Sequence, residues 1–276
     1  MRYKILILIL FITLFESSVF AQNKYTFSQF ANETVDFIKQ PLKWEGNDYL
    51  KFGVIAVGGG LSIFADQPIR DAVLRNQRYT KSAPVEFGRM YGELYSPVAF
   101  FMGFGLYSVI AKDITARKIA YEIGQASLYA GGINYALKFA IGRARPNLNL
   151  GAGKYRPFYS PFKEDYHSMP GGHSTAAFVI STVLSRNIKP LWLKVLVYVP
   201  AVLTMTSRVY QDWHWTSDCL IGAAFGFYIG TWVVDKHEKT EKSDLKFKDK
   251  GLIKQIQVQP LYTGSAYGLN VCVSLL

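Results

Sequence analysis

The chain has 276 residues, half of them hydrophobic and 18% charged, which excludes a disordered chain and a repetitive fibre. Two cysteines, Cys219 and Cys272, are too few for a disulfide framework and lack the spacing of a zinc site. Thirty-one Lys and Arg against 20 Asp and Glu give a net charge of +11, which draws polyanions. The basic residues are scattered between apolar segments rather than gathered in a recognition motif. That sets nucleic acid aside and leaves anionic lipids and phosphorylated small molecules as partners.

The first 21 residues have the form of an export signal. Arg2 and Lys4 precede the apolar run Ile5 to Phe15, and small residues up to Ala21 suit a signal peptidase; an uncleaved anchor is the alternative. Residues 22–94 then form an N-terminal region of short helices and loops. Within it, Lys51 to Phe64 is apolar, but it is short and interrupted by Gly58-Gly59-Gly60, so it is not expected to span a membrane. Tyr95 to Ala111 and Ile119 to Ile141 are helix candidates. The second carries Glu122, Gln125 and Asn134 and must face protein along part of its length. After a loop from Gly142 to Met169 come three apolar segments, Ser174 to Ile188, Leu191 to Thr206 and Ser217 to Val234. Residues 95–235 are expected to form one helical-bundle core.

Lys236 to Lys254 holds seven lysines against four acids and has the pattern of a solvated linker over 236–254. Residues 255–276 alternate apolar and polar around Thr263-Gly264-Ser265, the pattern of a β-hairpin. The expected fold is therefore all-α: a membrane-associated bundle of five or six helices with a short C-terminal hairpin.

Three stretches stand apart from ordinary core sequence. In Lys138-Phe-Ala-Ile-Gly-Arg-Ala-Arg145-Pro146, seven residues make almost two helical turns, so Lys138 and Arg145 project on one side before Pro146 stops the helix. Ser168-Met169-Pro170-Gly171-Gly172-His173-Ser174 leads into an apolar helix, whose N-terminus and free amides make an anion cradle with His173 at its rim. In Ser207-Arg208 through His214 to Asp218, the histidine and aspartate are four apart and meet on one face if the helix reaches back to His214. Each stretch alone has a structural explanation: snorkelling cations, a helix-initiating turn, a buried His–Asp tie. Together, in loops at one end of a bundle, they point to phosphate chemistry run on protein groups, with no metal and no cofactor.

The pattern Lys-x6-Arg-Pro, then Pro-x-Gly-His, then Ser-Arg-x5-His-x3-Asp resembles the type 2 phosphatidic acid phosphatase family, across roughly Tyr95 to Val234. The resemblance implies a phosphatase acting through a phosphohistidine. His214 would be the nucleophile, Asp218 would orient it, and His173 would protonate the leaving oxygen. Lys138, Arg145 and Arg208 would bind the phosphate oxygens beside Gly172. Gly171 departs from the pattern, standing where the family usually has serine, which removes one hydroxyl contact to phosphate.

Outside these motifs, His167 is expected in an exposed loop and His237 has no assigned role. Trp213 and Trp215 bracket His214 and are expected at a hydrophobic mouth or a membrane interface. Cys219 is expected in the core. The likelier substrate class is a phosphorylated lipid: phosphatidic acid, phosphatidylglycerol phosphate, undecaprenyl diphosphate or a lipid A type. A soluble exported acid phosphatase, a vanadate-binding haloperoxidase and an inactive anionic-lipid binder are the alternatives. Lys112, Arg117, Lys118, Arg186, Lys189 and Lys194 mark the bundle end away from the motifs. By the positive-inside rule that end is cytoplasmic, so the motif loops face outward, toward the periplasm in a bacterial envelope.

Overall fold

The computed structural model describes residues 25–250, 253–262 and 267–275. The export signal expected over 1–21 lies outside them. Two compact units divide the described chain near Asp235.

In the first unit, α1 (Phe27–Ile38) starts on Thr26, whose side chain accepts from the Gln29 amide. A short 3-10 turn (Gln40–Lys43) leads into α2 (Gly46–Leu74), opened by a reciprocal capping box between Glu45 and Asp48. Next come α3 (Ala83–Gly92), α4 (Tyr95–Ile110) and the long α5 (Ile114–Ile141), capped by the Asp113 carboxylate on the Ala116 amide. The loop that follows leads to α6 (Gly172–Asn187), α7 (Leu191–Leu196) and α8 (Val199–Tyr210). The last helix, α9 (Thr216–Lys250), begins in this unit. In the second unit, β1 (Ile253–Tyr262) pairs antiparallel with β2 (Tyr267–Leu275), from Tyr262 opposite Tyr267 to Ile253 opposite Leu275. Residues 263–266, expected at the turn, lie outside the described residues.

The core is made where three helices meet. Ile119, Ile123, Ala126 and Ala130 of α5 pack against Val179, Ile180 and Val183 of α6 and Ile229, Val233 and Val234 of α9. Glu122, Gln125 and Asn134 are buried, as the sequence requires of a helix with polar residues inside it. Gln125 donates to Glu33 of α1 at 2.8 Å, and Asn134 to Thr175 of α6 at 3.0 Å. Phe37 of α1 stacks on Tyr129 at 4.3 Å between ring centroids.

Four expectations change. The described helices outnumber the five or six predicted, because the region before Tyr95 forms three helices, one of 29 residues, and the Leu191 to Thr206 segment breaks ahead of Pro200 into α7 and α8. Lys51 to Phe64 is the middle of a 29-residue helix, and its glycines do not interrupt it. Glycine in a helix costs about 1 kcal/mol per residue, which the capping box and the docking of the helix offset. The lysine-rich run read as a linker is helical as far as Lys250. Finally, α5 ends at Ile141, the bound given for the helix candidate, and does not run on to Pro146 as the spacing argument for Lys138 and Arg145 assumed. Gly142 adopts φ +60° and donates to the Lys138 carbonyl at 2.9 Å, closing the helix in a left-handed cap.

Among the described residues three helical stretches are long and apolar enough to cross a membrane: Gly46–Leu74, Leu191–Tyr210 and Thr216–Glu241. The pair Ala83–Gly92 and Tyr95–Ile110 qualifies as a broken span bent by 73°. On α2, Val54, Val57, Leu61 and Phe64 are exposed, a surface suited to lipid.

A side chain at Gly142 would be doubly penalised, by the positive φ and by a Cβ 1.9 Å from the Arg156 carbonyl oxygen. Gly142→Ala should destabilise the fold by more than about 2 kcal/mol. A lower thermal unfolding midpoint in detergent would register it.

Candidate active site

The three motifs converge where α5 ends, α6 begins and the α8–α9 turn passes over them. His214 lies in that turn, before the first residue of α9, so it does not meet Asp218 as a helical neighbour. The loop brings them together instead. The backbone amide of His214 donates to the Arg208 carbonyl at 3.3 Å, and the Trp215 amide donates to Asp218 Oδ2 at 3.0 Å.

Asp218 does not touch the ring directly: its Oδ2 lies 3.8 Å from His214 Nδ1. Ser168 stands between them. Its hydroxyl donates to Asp218 Oδ2 at 2.5 Å and lies 3.4 Å from His214 Nδ1. A hydroxyl has one proton, and this one goes to the carboxylate. Toward the imidazole Ser168 can therefore only accept, which places the ring proton on Nδ1. Nε2 then keeps its lone pair. That atom is buried and has no hydrogen-bond partner among the described residues.

Three cations belong to the site: Lys138 and Arg145 act electrostatically on His214, and Arg208 on His173. Lys138 is half-buried beside Gly172; a Cβ at Gly172 would lie 3.4 Å from its Nζ. Arg145 follows the helix end in extended backbone, so the two-turn helical argument does not place it. It is set instead by the Glu164 carbonyl at 2.9 Å, the Glu164 carboxylate at 3.2 Å and the Trp213 ring, whose centroid is 5.3 Å from the guanidinium carbon. Arg208 is buried, bonded through Nη2 to Gln211, and its Nε is unpartnered among the described residues. A buried cation with an orphan donor is ready for an anion.

His173, in the first turn of α6, faces His214 with ring centroids 6.0 Å apart. Its Nε2 lies 3.4 Å from Glu93, which also receives Arg89 at 3.3 Å. Burial, with Arg208 beside it, pushes the His173 pKa down to about 4 against the pull of Glu93. Burial lowers His214 to about 3, opposed by Asp218 and reinforced by Arg145 and Lys138. Both rings are therefore neutral at pH 7.

Gly171 does not serve as a cradle amide. Its N–H donates to the Asp218 carbonyl at 2.8 Å, packing the start of α6 onto the start of α9. Further residues complete the site without having been singled out by the sequence pattern. Arg143 is fully buried and forks between Asp218 and Asp66, at 2.7 Å to each. Ser217 gives its amide and its hydroxyl to Asp66 at 2.8 and 2.5 Å. Arg143 stood inside the first motif, between the two cations that drew attention. Asp66, in an apolar helix distant in sequence, had only its charge as a signal. Ser168 opened the second stretch without being given a role, and Glu93, like Asp66, had only its charge as a signal.

His167 is buried against the ring of Tyr135 rather than exposed. Trp215 is buried too, its indole donating to the Ala144 carbonyl at 2.9 Å, so only Trp213, at 43% exposure, is available to a mouth or an interface. Cys219 is in the core, and His237 is buried within α9.

Residues 121–242 match the model of the PAP2 superfamily. The matched stretch, under half of the chain, holds Lys138, Arg145, His173, Arg208, His214 and Asp218. The chain is 31% identical over 152 residues to a lipid A 1-phosphatase of Porphyromonas gingivalis, covering 53% of this chain and 28% of that protein. It is 28% identical over 162 residues to the probable lipid phosphate phosphatase 4 of Arabidopsis thaliana, covering 49% and 52%. The match thus spans about half or less of each relative. Among solved structures, a Bacillus subtilis PAP2-type phosphatidylglycerolphosphate phosphatase is similar with TM-score 0.48 at 23% identity, covering 69% of this chain and 94% of that one. Aquifex aeolicus LpxE is similar with TM-score 0.41 at 23% identity, covering 59% and 94%.

Gly171, the one departure from the motif pattern, has a structural counterpart. A Cβ there would sit 3.0 Å from the Asp218 carbonyl oxygen and 3.3 Å from Cys219 Cα, both of them backbone. Gly171→Ser, although it restores the usual residue, should therefore cost about 1–3 kcal/mol of stability and lower activity. Denaturation and turnover measured on the same preparation would check this.

Proposed function

We propose that this protein is a phosphatase of lipid phosphate esters or diphosphates, working through a phosphohistidine on His214. The observation that carries the reading is the buried Nε2 of His214, unpartnered among the described residues, with the ring proton assigned to Nδ1 by the Ser168–Asp218 bond. A lone pair so placed has one use, attack on an electrophile that brings negative charge.

Lys138, Arg145 and Arg208 take the non-bridging oxygens, joined by the first-turn amides of α6 from Gly172 onward, which lack intrahelical acceptors. Nε2 of His214 attacks phosphorus as the bond to the leaving oxygen breaks, and His173 gives that oxygen its proton. Water then attacks the phosphohistidine, His173 takes the water's proton, and the P–N bond breaks to release phosphate. Positive charge spread over three side chains stabilises the transition state. Asp218, through Ser168, balances the imidazolium as it forms.

Three apolar helices long enough to span a membrane, the exposed Trp213 near the site and the names of the two curated relatives support a lipid substrate. For orientation, Lys112, Arg117 and Lys118 stand at the start of α5 and the site at its end. The positive-inside rule then turns the site outward, to the periplasm in a bacterial inner membrane.

In detergent micelles with excess EDTA, the full chain should release phosphate from phosphatidic acid or undecaprenyl diphosphate faster than from p-nitrophenyl phosphate. His214→Ala should lower that release roughly 10³-fold or more. Turnover of the soluble ester alone would remove the lipid assignment, and undiminished release by the variant would remove the nucleophile.

The pH profile has a definite sign. Attack needs His214 neutral, which holds above about 3, and the proton donor needs His173 charged, which holds below about 4 in the free enzyme. The value of kcat/KM should climb as pH falls from neutrality toward about 4 and turn down near 3. A rate rising monotonically with pH contradicts the assignment.

A further inference from the structure

Asp66 belongs to α2, outside the residues matched to the family, on a helix that otherwise turns apolar side chains outward. It is 1% exposed. A carboxylate placed there is costly unless its partners require it. Those partners are all at the site: Arg143 Nη2 at 2.7 Å, and the amide and hydroxyl of Ser217 at 2.8 and 2.5 Å.

Arg143 divides its fork between Asp66 and, through Nη1, Asp218. With Asp218 as its one counterion, Arg143 would neutralise the carboxylate on which the Ser168–His214 arrangement depends. Two carboxylates on one guanidinium leave a net negative charge, and it faces His214. Asp66 also fixes Ser217, the neighbour of Asp218 in the first turn of α9. Docking of α2 does not need Asp66. One turn later Arg70 already ties this helix to both site loops, through Asp212 at 2.7 and 2.8 Å and Asn149 at 2.7 Å.

We propose that Asp66 is a positioning residue for phosphoryl transfer: acting through Arg143 and Ser217, it fixes the Asp218 carboxylate and preserves the negative charge that holds His214 in its attacking tautomer. The proposal rests on the reading of His214 as nucleophile.

The test uses the full chain in micelles, with steady-state kinetics and the ¹⁵N resonances of histidine. Asp66→Asn removes the charge at nearly constant size. Asp66 touches none of the groups assigned to phosphate, so kcat should fall roughly 10- to 100-fold, while KM and inhibition by inorganic phosphate stay within about threefold. The His214 Nδ1 resonance should move. Arg143→Lys keeps the charge but loses the fork and should show the same split; it decides the matter if Asp66→Asn does not fold. Arg70→Met, which loosens α2 without touching the trio, should lower the unfolding midpoint and leave the His214 resonance in place.

Wild-type kcat with an unmoved resonance in Asp66→Asn overturns the proposal. So does a loss shared equally by KM and phosphate inhibition, which would make Asp66 a fastener of α2 and nothing more. If the wild type releases no phosphate, or His214→Ala releases it normally, the proposed function falls, and the His214 resonance still decides the role of Asp66.

Discussion

The site depends on one buried guanidinium. Arg143 has no solvent exposure, and its donors reach Asp66, Asp218, Ser217 and the Ala152 carbonyl. Taking three charges out of water is expensive, and mutual attraction compensates only when the geometry is good and the remaining donors are satisfied. Here every contact to a side chain lies between 2.5 and 2.8 Å. The indole of Trp215 covers the guanidinium, its ring centroid 5.4 Å from the guanidinium carbon. Through this cluster α2, the end of α5 and the start of α9 hold one geometry, and His214 inherits its position from theirs.

Around that anchor the site divides its charges. Asp218, held by Arg143, and Ser168 stand at Nδ1 of His214, while Nε2 has no hydrogen-bond partner among the described residues. The buried, uncharged state of both histidines keeps the site from repelling its own cations further. It also leaves the arriving phosphate as the anion that the three cations lack. A lipid substrate, as proposed, would meet this arrangement at the end of the bundle where Trp213 is exposed.

Much of this was legible in the sequence, for different reasons in different places. The three motifs were visible because cations and histidines at fixed spacing contrast with apolar helices, and the burial of Glu122, Gln125 and Asn134 followed from helical periodicity. Spacing failed where the backbone left the helix. Lys138 and Arg145 were expected on one helical face, yet Gly142 turns the chain between them. His214 and Asp218 were expected as an i, i+4 pair, yet Ser168 mediates between them from another loop. Asp66 was illegible because nothing local marks it: its partners come from residues 143 and 217, and only the folded chain supplies them. The glycines at 58–60 misled in the opposite direction, since local propensity gave way to capping and tertiary packing.

The position of Asp66 bears on what counts as a unit in this molecule. The segment recognisable by family carries every group that would touch a phosphate, but it does not carry the counter-charge for its own buried arginine. Lifted out as a cassette, residues 121–242 would keep the reactive groups and lose the electroneutrality of the ground beneath them. On the proposed reading the functional module is longer than its signature, and α2 supports the site as well as offering an apolar face suited to lipid.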